Sequence, residues 1–292
     1  MRSKGDWLLL LAAFVGGGGF ISLKYLLDWG YTPYQVVLGR FLLASLCMCA
    51  VYRRRLPRIT KREWRLGGIL GVFLAVMFFL MILGLQYTSP SVNAFLVNLP
   101  AAIVPFLCWA AFRQMPTKNH FLAAALTLLG VCCLSLTADF RLDFGALLSL
   151  LAAVAFSLQV AFLGNGTQGC DAVHIAIVEN LAVLAISVPV VCLTGVETPP
   201  LTPAAFGNFF FVGAFCTAAY FSLQSVGQTM TSPNKASIII TSESIFAAIF
   251  SALLYGERMG LRGYAGCAII FAAIVLSEWQ PRRSIDSGNE IR

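Results

Sequence analysis

The chain has 292 residues, of which 59% are hydrophobic and 11% are charged, and its formal net charge is +7. A soluble domain carries roughly 25% charged residues, so this chain lacks the polar surface that a globule needs in water. The basic residues lie between long apolar runs, so the composition predicts an integral membrane protein and excludes a nucleic-acid binder, a secreted disulfide scaffold and a cytosolic enzyme.

Ten spanning helices are predicted when the chain is divided at charged residues and at Pro- and Gly-rich breaks. A spanning helix needs about 20 residues. The predicted helices cover residues 7–28, 33–52, 66–86, 91–112, 119–136, 143–163, 173–193, 204–226, 234–255 and 261–279. These runs are apolar on every face, whereas the strands of a membrane barrel alternate over about ten residues. The predicted fold class is an all-α membrane protein with ten transmembrane helices.

The distribution of Lys and Arg predicts the orientation. With the amino terminus inside, only Arg141, Arg258 and Arg262 fall in outer connections, and Lys24 and Arg40 lie within helices. The other fifteen basic residues fall on the inner side. By the positive-inside rule we expect a multi-pass protein of the cell (inner) membrane with both termini in the cytoplasm.

The chain contains signs of an internal duplication. The tripeptide Thr-Ser-Pro at 88–90 recurs at 231–233, and Ser can cap each following helix while Pro occupies its first turn. Asp6 and Asp143 each precede a predicted helix, and the interval between them is nearly the same as the interval between the two tripeptides. The matches predict two five-helix repeats. The second is inverted, because each repeat has an odd number of spans, as in many secondary transporters. The predicted repeats are residues 1–139 and 140–280, and a cytoplasmic tail covers 281–292.

The carboxyl-terminal part of the chain resembles a known family. Residues 241–259, TSESIFAAIFSALLYGERM, and residues 266–273, GCAIIFAA, are similar to the helix 9 to helix 10 signature of EamA-type permeases of the drug/metabolite transporter superfamily. In this resemblance Glu243 falls on the mid-helix acid of the family. Gly256 and Glu257 fall on its Gly-Glu pair at the helix end.

The amino-terminal part carries the same resemblance. Residues 16–20 with Lys24 are similar to the first-helix pattern of the family, and Arg40 matches its helix 2 arginine. Val15 departs from the pattern, because a Trp often precedes the helix 1 glycine in the family. The resemblance covers both halves, about residues 7–280, and implies ten helices around a central cavity walled mainly by helices 1, 3, 4, 6, 8 and 9.

The resemblance implies a secondary active transporter that moves small metabolites by alternating access, with export as the implied direction. Amino-acid-like compounds, amines and drugs are the implied substrates. The alternative is an importer or an exchanger of sugars or sugar phosphates, although two basic residues within helices are few for a phosphate ligand. An intramembrane enzyme is not expected, because His120 and His174 lie at helix ends and no catalytic motif is present. A channel or a scaffold is a third class, and no ring of like residues or filter loop favours it.

Glu243 is the principal candidate for substrate binding and for coupling. It lies roughly 14 Å from the inner end of its predicted helix, near the midplane of a hydrocarbon core about 30 Å thick. An ionisable group at this depth is expensive and therefore a functional candidate. We interpret it as a site for a proton or another cation. The alternative is a structural acid that Ser242, Ser244 or the backbone of helix 4 satisfies.

Three other charges lie within predicted helices and are interpreted as structural. Arg40, about 11 Å below the outer end of helix 2, could grip a carboxylate in a bidentate fork. Helix 2 is peripheral in the resembled fold, which favours a buried pair or a backbone cap. Glu179 lies about 9 Å from the inner end of helix 7 and receives the same interpretation. Lys24 lies where a snorkelling lysine is ordinary, with attraction of anions to the outer mouth as the alternative.

Six uncharged polar side chains are further candidates to line the cavity. They are Gln86, Asn93, Asn98, Gln159, Tyr220 and Gln224. The alternative for each is an interhelical hydrogen bond, worth about 0.6 kcal/mol in a membrane. The nine cysteines show no metal-ligand spacing, and no cofactor, metal or ATP motif is visible. The expected partners are a small-molecule substrate, the lipid bilayer and protons as the candidate coupling ion, and we expect a monomer.

Overall fold

The computed structural model describes residues 2–113, 115–135, 143–167, 169–195, 197–230 and 233–278, and every regular element in these ranges is helical. Twelve α-helices follow in chain order. They are α1 (Arg2–Asp28), α2 (Pro33–Val51), α3 (Lys61–Tyr87), α4 (Pro90–Val97), α5 (Pro100–Phe112), α6 (Lys118–Ser135), α7 (Phe144–Gly166), α8 (Ala172–Thr194), α9 (Pro203–Phe210), α10 (Tyr220–Met230), α11 (Pro233–Phe250) and α12 (Leu261–Glu278). A π-helical segment, Phe211–Ala219, joins α9 to α10, and a second, Ser251–Tyr255, follows α11.

Seven of the described helical stretches are long and apolar enough to cross a membrane. They are Lys4–Asp28, Pro33–Val51, Lys61–Tyr87, Pro90–Phe112, Phe144–Leu163, Ala172–Thr194 and Pro203–Gln224. Three shorter apolar helices are Lys118–Cys133, Ile239–Tyr255 and Leu261–Leu276. The chain is therefore an all-helical membrane protein over the residues described, and the number of ten crossings stays a prediction.

The starts of α2 and α3 are set by capping boxes. The hydroxyl of Thr60 accepts a hydrogen bond from the Glu63 N–H, and the Glu63 carboxylate accepts one from the Thr60 N–H. Thr32 and Gln35 make the same reciprocal pair in front of α2. Such boxes satisfy N–H groups that a helix start leaves free. For this reason α3 begins at Lys61, ahead of the predicted start at residue 66.

The first helix begins earlier than predicted, which changes the position of Asp6. Helix α1 starts at Arg2, so Asp6 lies inside the first turns and does not precede the helix. Asp143 does cap α7, since its side chain accepts a hydrogen bond from the Ala146 N–H at 3.2 Å.

Predicted helix 4 is broken into α4 and α5. Asn98 and Leu99 separate the two pieces, and Pro100 begins the second. Proline has no N–H to donate and clashes with the preceding turn, so a break here is expected physically. The predicted cap by Ser89 is present, because its hydroxyl accepts a hydrogen bond from the Val92 N–H. Its predicted counterparts, Thr231 and Ser232, lie outside the described residues.

Each long helix packs against two or more others. Helix α3 lies against α7 and α8, while α1 lies against α10, α11 and the first π segment. Helix α2 packs on α8 and on the same π segment, and α6 packs on α12. Buried aromatic rings fill the contacts, as where Phe41 of α2 meets Phe78 of α3 edge-on with centroids 4.8 Å apart.

One close contact between helices depends on Gly71 in α3. A Cβ added to Gly71 would lie 2.5 Å from the Cβ of Ala182 and 3.1 Å from the carbonyl oxygen of Glu179, both in α8. Separations this short leave no room for a side chain, so glycine allows the two backbones to approach closely.

The same contact occurs a second time, between α2 and the first π segment. A Cβ added to Gly213 would lie 2.7 Å from the Cβ of Leu43 and 2.9 Å from the carbonyl oxygen of Arg40. The interval in the sequence from Leu43 to Ala182 equals the interval from Arg40 to Glu179. Both contacts thus join a glycine to the carbonyl of a charged residue and to the Cβ three residues later.

A second pair of contacts repeats in the same way. Gly84 of α3 and Gly145 of α7 face each other, since a Cβ on either would lie 2.9 or 2.8 Å from the carbonyl oxygen of the other. Gly227 of α10 and Gly5 of α1 make the equivalent contact at 3.2 and 3.1 Å. Gly5 and Gly145 therefore hold equivalent places in the two contacts. The interval between them is slightly longer than the interval from Asp6 to Asp143, because Asp6 lies inside its helix and Asp143 precedes its helix.

We expect Gly71→Ala to lower the free energy of unfolding by about 1–3 kcal/mol, because a methyl group placed 2.5 Å from the Ala182 Cβ overpacks the α3–α8 contact. The melting temperature of the purified protein measures the effect. Gly68→Ala, one turn earlier on the same helix, is the matched control, since nothing lies within 4 Å of its added Cβ. Equal melting temperatures for the two variants would contradict this account of the contact.

Candidate functional site

A cavity of about 60 Å³ lies between α1, α2, α3, α4, the first π segment, α7, α10 and α11. Its polar side chains are those of Arg40, Asn98, Cys216, Tyr220 and Glu243, and the remaining walls are apolar, aromatic or glycine. Glu243 is about 15 Å along α11 from its start, which corresponds to half of a hydrocarbon core about 30 Å thick.

Glu243 is held by a tyrosine from the neighbouring helix. The Tyr220 hydroxyl donates a hydrogen bond of 2.9 Å to Glu243 Oε2. Gly16 of α1 makes room for both side chains, because a Cβ there would lie 2.8 Å from Glu243 Oε1 and 2.9 Å from a ring carbon of Tyr220. The glycine-rich part of α1 thus forms the wall against which this pair packs.

The serines beside Glu243 do not bond to it. Ser244 donates to the Ala94 carbonyl of α4 at 3.2 Å, and Ser242 donates to the Ile239 carbonyl. The structural interpretation of Glu243 through these serines is therefore not supported by their contacts, which leaves Tyr220 as the hydrogen-bond donor seen in the described residues.

Arg40 lies on the cavity wall and is anchored on one side. Its Nε donates to Thr217 Oγ1 at 2.7 Å, and its Nη2 donates to the Cys216 carbonyl at 3.1 Å. The guanidinium carbon is 4.4 Å from the centroid of the Phe78 ring, a cation–π contact. Arg40 thus fixes α2 to the first π segment and also lines the cavity.

The cavity holds one base and one acid that do not touch. Arg40 and Glu243 line it together, yet among the described residues no carboxylate lies within the 4.0 Å of an ion pair from Arg40. The two charges attract each other across the cavity. This arrangement can hold a ligand that carries a carboxylate at one end and an ammonium group at the other.

Two more predicted residues lie near this pair. Asn98 lines the cavity at the break between α4 and α5, where its Nδ2 donates to the Ala94 carbonyl at 3.0 Å. Gln224 is half-buried one turn after Tyr220 and does not line the cavity.

Two predicted residues lie elsewhere. Asn93 is fully buried and donates to the Met81 carbonyl at 3.0 Å and to Ser149 Oγ at 2.8 Å, so it joins α3, α4 and α7. Gln86 is exposed near the end of α3. Neither lines the cavity in this structure.

Gln159 and Glu179 form a separate buried pair. Gln159 Nε2 donates to Glu179 Oε1 at 2.8 Å, and both side chains are at most 4% exposed. The pair joins α7 to α8 and lies outside the cavity lining.

One end of the bundle, the outer end in the predicted orientation, is tied together by side chains of α1. Lys24 Nζ donates to the Leu85 carbonyl of α3 at 3.0 Å. The Tyr255 hydroxyl, at the end of the second π segment, donates to Asp28 Oδ2 at 2.8 Å. Lys24 therefore links two helices and does not only snorkel.

Glu257 makes a further tie at the same end. Its Oε2 accepts hydrogen bonds from Ser91 Oγ at 2.7 Å and from the Ser91 N–H at 3.3 Å, and Ser251 Oγ also donates to it. The carboxylate thus binds the first turn of α4 to the second π segment, which matches the preference of a helix start for an anion.

Sequence reasoning missed Phe78 and Cys216, which line the cavity, and Thr217, which holds Arg40 from behind the cavity wall. Thr217 and Cys216 are polar interruptions of an apolar run, which was the available signal. Nothing in the sequence indicated that Phe78 faces the Arg40 guanidinium.

Comparison with known proteins places the chain among transporters. The profile of the EamA-like transporter family matches residues 3–136 and matches again over residues 143–279. An uncharacterized transporter of Archaeoglobus fulgidus is 22% identical over 94% of this chain and 86% of its own length. The uncharacterized transporter YwfM of Bacillus subtilis is 22% identical over 95% of this chain and 94% of its own.

Two further similarities agree with this placement. A WAT1-related protein of Arabidopsis thaliana is 21% identical over 93% of this chain and 84% of its own length. A crystal structure of a protein 16% identical to this chain covers 99% of it and 100% of the solved chain, with a TM-score of 0.68. At that identity the likeness shows the fold alone.

We expect Glu257→Ala to lower the free energy of unfolding by about 1–3 kcal/mol, because it leaves the Ser91 N–H and hydroxyl without their acceptor. Thermal denaturation of the purified protein measures the loss. The neighbouring exposed charge provides the control, Arg258→Ala, which should leave the melting temperature unchanged. A loss in the control as large as in the variant would show that the tie contributes nothing.

Proposed function

Because the chain belongs to the EamA-like transporter family, we propose that it is a secondary active transporter of small amino-acid-like metabolites, amines or drugs that works by alternating access. The chain is a multi-pass membrane transporter and not an enzyme, as its family and its transporter relatives indicate, and the resemblance of its sequence to this family is confirmed. The proposal adds the substrate class and the mechanism.

One observation carries the substrate class: the cavity contains Arg40 and Glu243 facing the same space without an ion pair between them. A zwitterionic amino acid complements this pair, with its carboxylate at Arg40 and its ammonium group at Glu243. The apolar and aromatic walls would take the side chain. Arg40 is the one basic residue that lines the cavity within the described ranges, which disfavours the sugar-phosphate alternative.

Two inverted repeats, residues 1–139 and 140–280 with the tail 281–292, form the second part of the proposal. The family profile matches each half separately, and the glycine contacts recur at a nearly constant interval along the chain. The seven long apolar helices and the three shorter ones together number ten, which supports ten crossings. Two halves with equivalent contacts can exchange conformations at small energetic cost, as alternating access requires.

The direction and the coupling follow from the same features. The family resemblance favours export, and the distribution of basic residues favours a cell (inner) membrane protein with both termini in the cytoplasm. Glu243, at mid-membrane depth with one tyrosine donor, is the group we assign to proton coupling. One chain encloses the cavity, which favours a monomer.

The test is uptake of a pool of radiolabelled amino acids into proteoliposomes, with and without a pH gradient. We expect saturable uptake that the gradient accelerates, and at least a tenfold loss of the acceleration in Glu243→Gln, because the amide cannot carry the proton. Glu197→Gln, an exposed acid of the loop before α9, is the matched control and should retain wild-type uptake. Absence of saturable uptake for every amino acid in the pool would contradict the substrate class.

A second variant tests the role of Arg40. Arg40→Gln should raise the half-saturating concentration of a transported amino acid by roughly 10- to 100-fold, since a charge-assisted hydrogen bond contributes about 1.5–3 kcal/mol. The decarboxylated amine of the same amino acid has no carboxylate to lose and should compete equally well in both proteins. Equal weakening of the amino acid and of the amine would place Arg40 outside carboxylate recognition.

A further inference from the structure

Two buried charges of opposite sign occupy the same place in two different helices. Arg40 is the eighth residue of α2, which Thr32 caps, and Glu179 is the eighth residue of α8, which Asp171 caps. At 1.5 Å per residue each lies about 11 Å from the start of its helix. The interval from Arg40 to Glu179 in the sequence therefore equals the interval between the two caps.

The glycine contacts give these positions equivalent surroundings on the backbone side. Gly213 abuts the carbonyl of Arg40, and Gly71 abuts the carbonyl of Glu179, with the Cβ three residues later completing each contact. The equivalence of Arg40 and Glu179 thus rests on matched contacts as well as on helix position.

The side chains, by contrast, have different surroundings. Beside the Arg40 site lies Gly19, where an added Cβ would be 3.2 Å from Cys216 Sγ, and both residues line the cavity. The interval that relates Gly5 to Gly145 relates Gly19 to Gln159, whose amide binds Glu179. A glycine therefore leaves space for the cavity in one half, whereas a glutamine occupies the equivalent space in the other and holds the charge there.

We propose that Arg40 and Glu179 exchange places at the cavity wall during transport. The inference rests on the proposed function. In this structure α2 presents Arg40 to the cavity and Glu179 is held by Gln159. When the two halves exchange conformations, α8 takes the surroundings that α2 has here. Glu179 then lines the cavity and Arg40 is withdrawn.

This exchange changes what the cavity binds. A carboxylate held by Arg40 loses its partner when the cavity opens to the other side, and it meets Glu179 and Glu243 instead. Like charges repel, so the second state releases the anion that the first state binds. Arg40 and Glu179 are thus a specificity-determining pair, with one charge acting in each state.

Cysteine modification tests the exchange without any knowledge of the substrate. The first reporter is Cys216, kept as the single cysteine. The second is Leu74→Cys in a cysteine-free chain, since Leu74 corresponds to Cys216 as Gly71 does to Gly213, and it is 1% exposed in this structure. Each purified protein is treated in detergent with an anionic and a cationic methanethiosulfonate of similar size, and the ratio of the two rates is measured.

We expect Arg40→Gln to reduce the anionic preference at Cys216 by roughly tenfold and to leave the ratio at Leu74→Cys unchanged. Glu179→Gln should reduce the cationic preference at Leu74→Cys by a similar factor and leave Cys216 unchanged. The proposal would be overturned if the thiol of Leu74→Cys did not react, or if Glu179→Gln left the ratio of the anionic and cationic rates at that thiol unchanged.

Two controls keep the test decisive. If Glu179→Gln fails to fold, the double variant Glu179→Met with Gln159→Leu removes both partners of the buried hydrogen bond and is the substitute, because an apolar pair leaves no unsatisfied group. The thiol rates do not depend on uptake. A positive exchange result with no amino-acid uptake would therefore reject the proposed substrate class alone, and uptake without exchange would reject the exchange alone.

Discussion

A charged side chain buried inside a helix bundle is stable only when protein groups replace the water it has lost, and this requirement organises the centre of the molecule. Arg40 receives a hydroxyl, a carbonyl and an aromatic face, and Glu243 receives the Tyr220 hydroxyl. These partners come from three different helical elements, so each charge fixes how its neighbours pack. Both charged side chains also line the cavity, where a ligand could contact them.

Close helix contact is what brings those partners within reach. Glycines at the α3–α8 and α2–π contacts allow backbones to approach, and Gly16 gives Glu243 and Tyr220 the room they occupy. In a bilayer, helices gain little from burying apolar surface against one another, so packing and hydrogen bonds decide their arrangement. Glycines therefore contribute both to the close helix contacts and to the shape of the cavity.

The sequence predicted the helices well, because length and hydropathy are properties of the chain itself. It also predicted that Glu243, Tyr220 and Asn98 would meet in one cavity, and these three line it. It did not separate them from Gln86 or Gln159, which lie elsewhere. Helices that are apolar on every face carry no periodic signal of which face points inward. The rotation of each helix about its own axis therefore could not be predicted from the sequence. For the same reason the sequence did not show that Arg40 of α2 lines the cavity.

The π segment Phe211–Ala219 marks a local difference between two stretches of the chain that make similar glycine contacts. The stretch from Gly213 to Gly227 is one residue longer than the matching stretch from Gly71 to Gly84 in the first half. A π turn, in which a backbone N–H bonds to the carbonyl five residues back, absorbs such an insertion without shifting either end of the helix. The hydrogen-bond partners of Arg40, the Thr217 hydroxyl and the Cys216 carbonyl, lie within this segment, so the added residue falls where the Arg40 guanidinium is held.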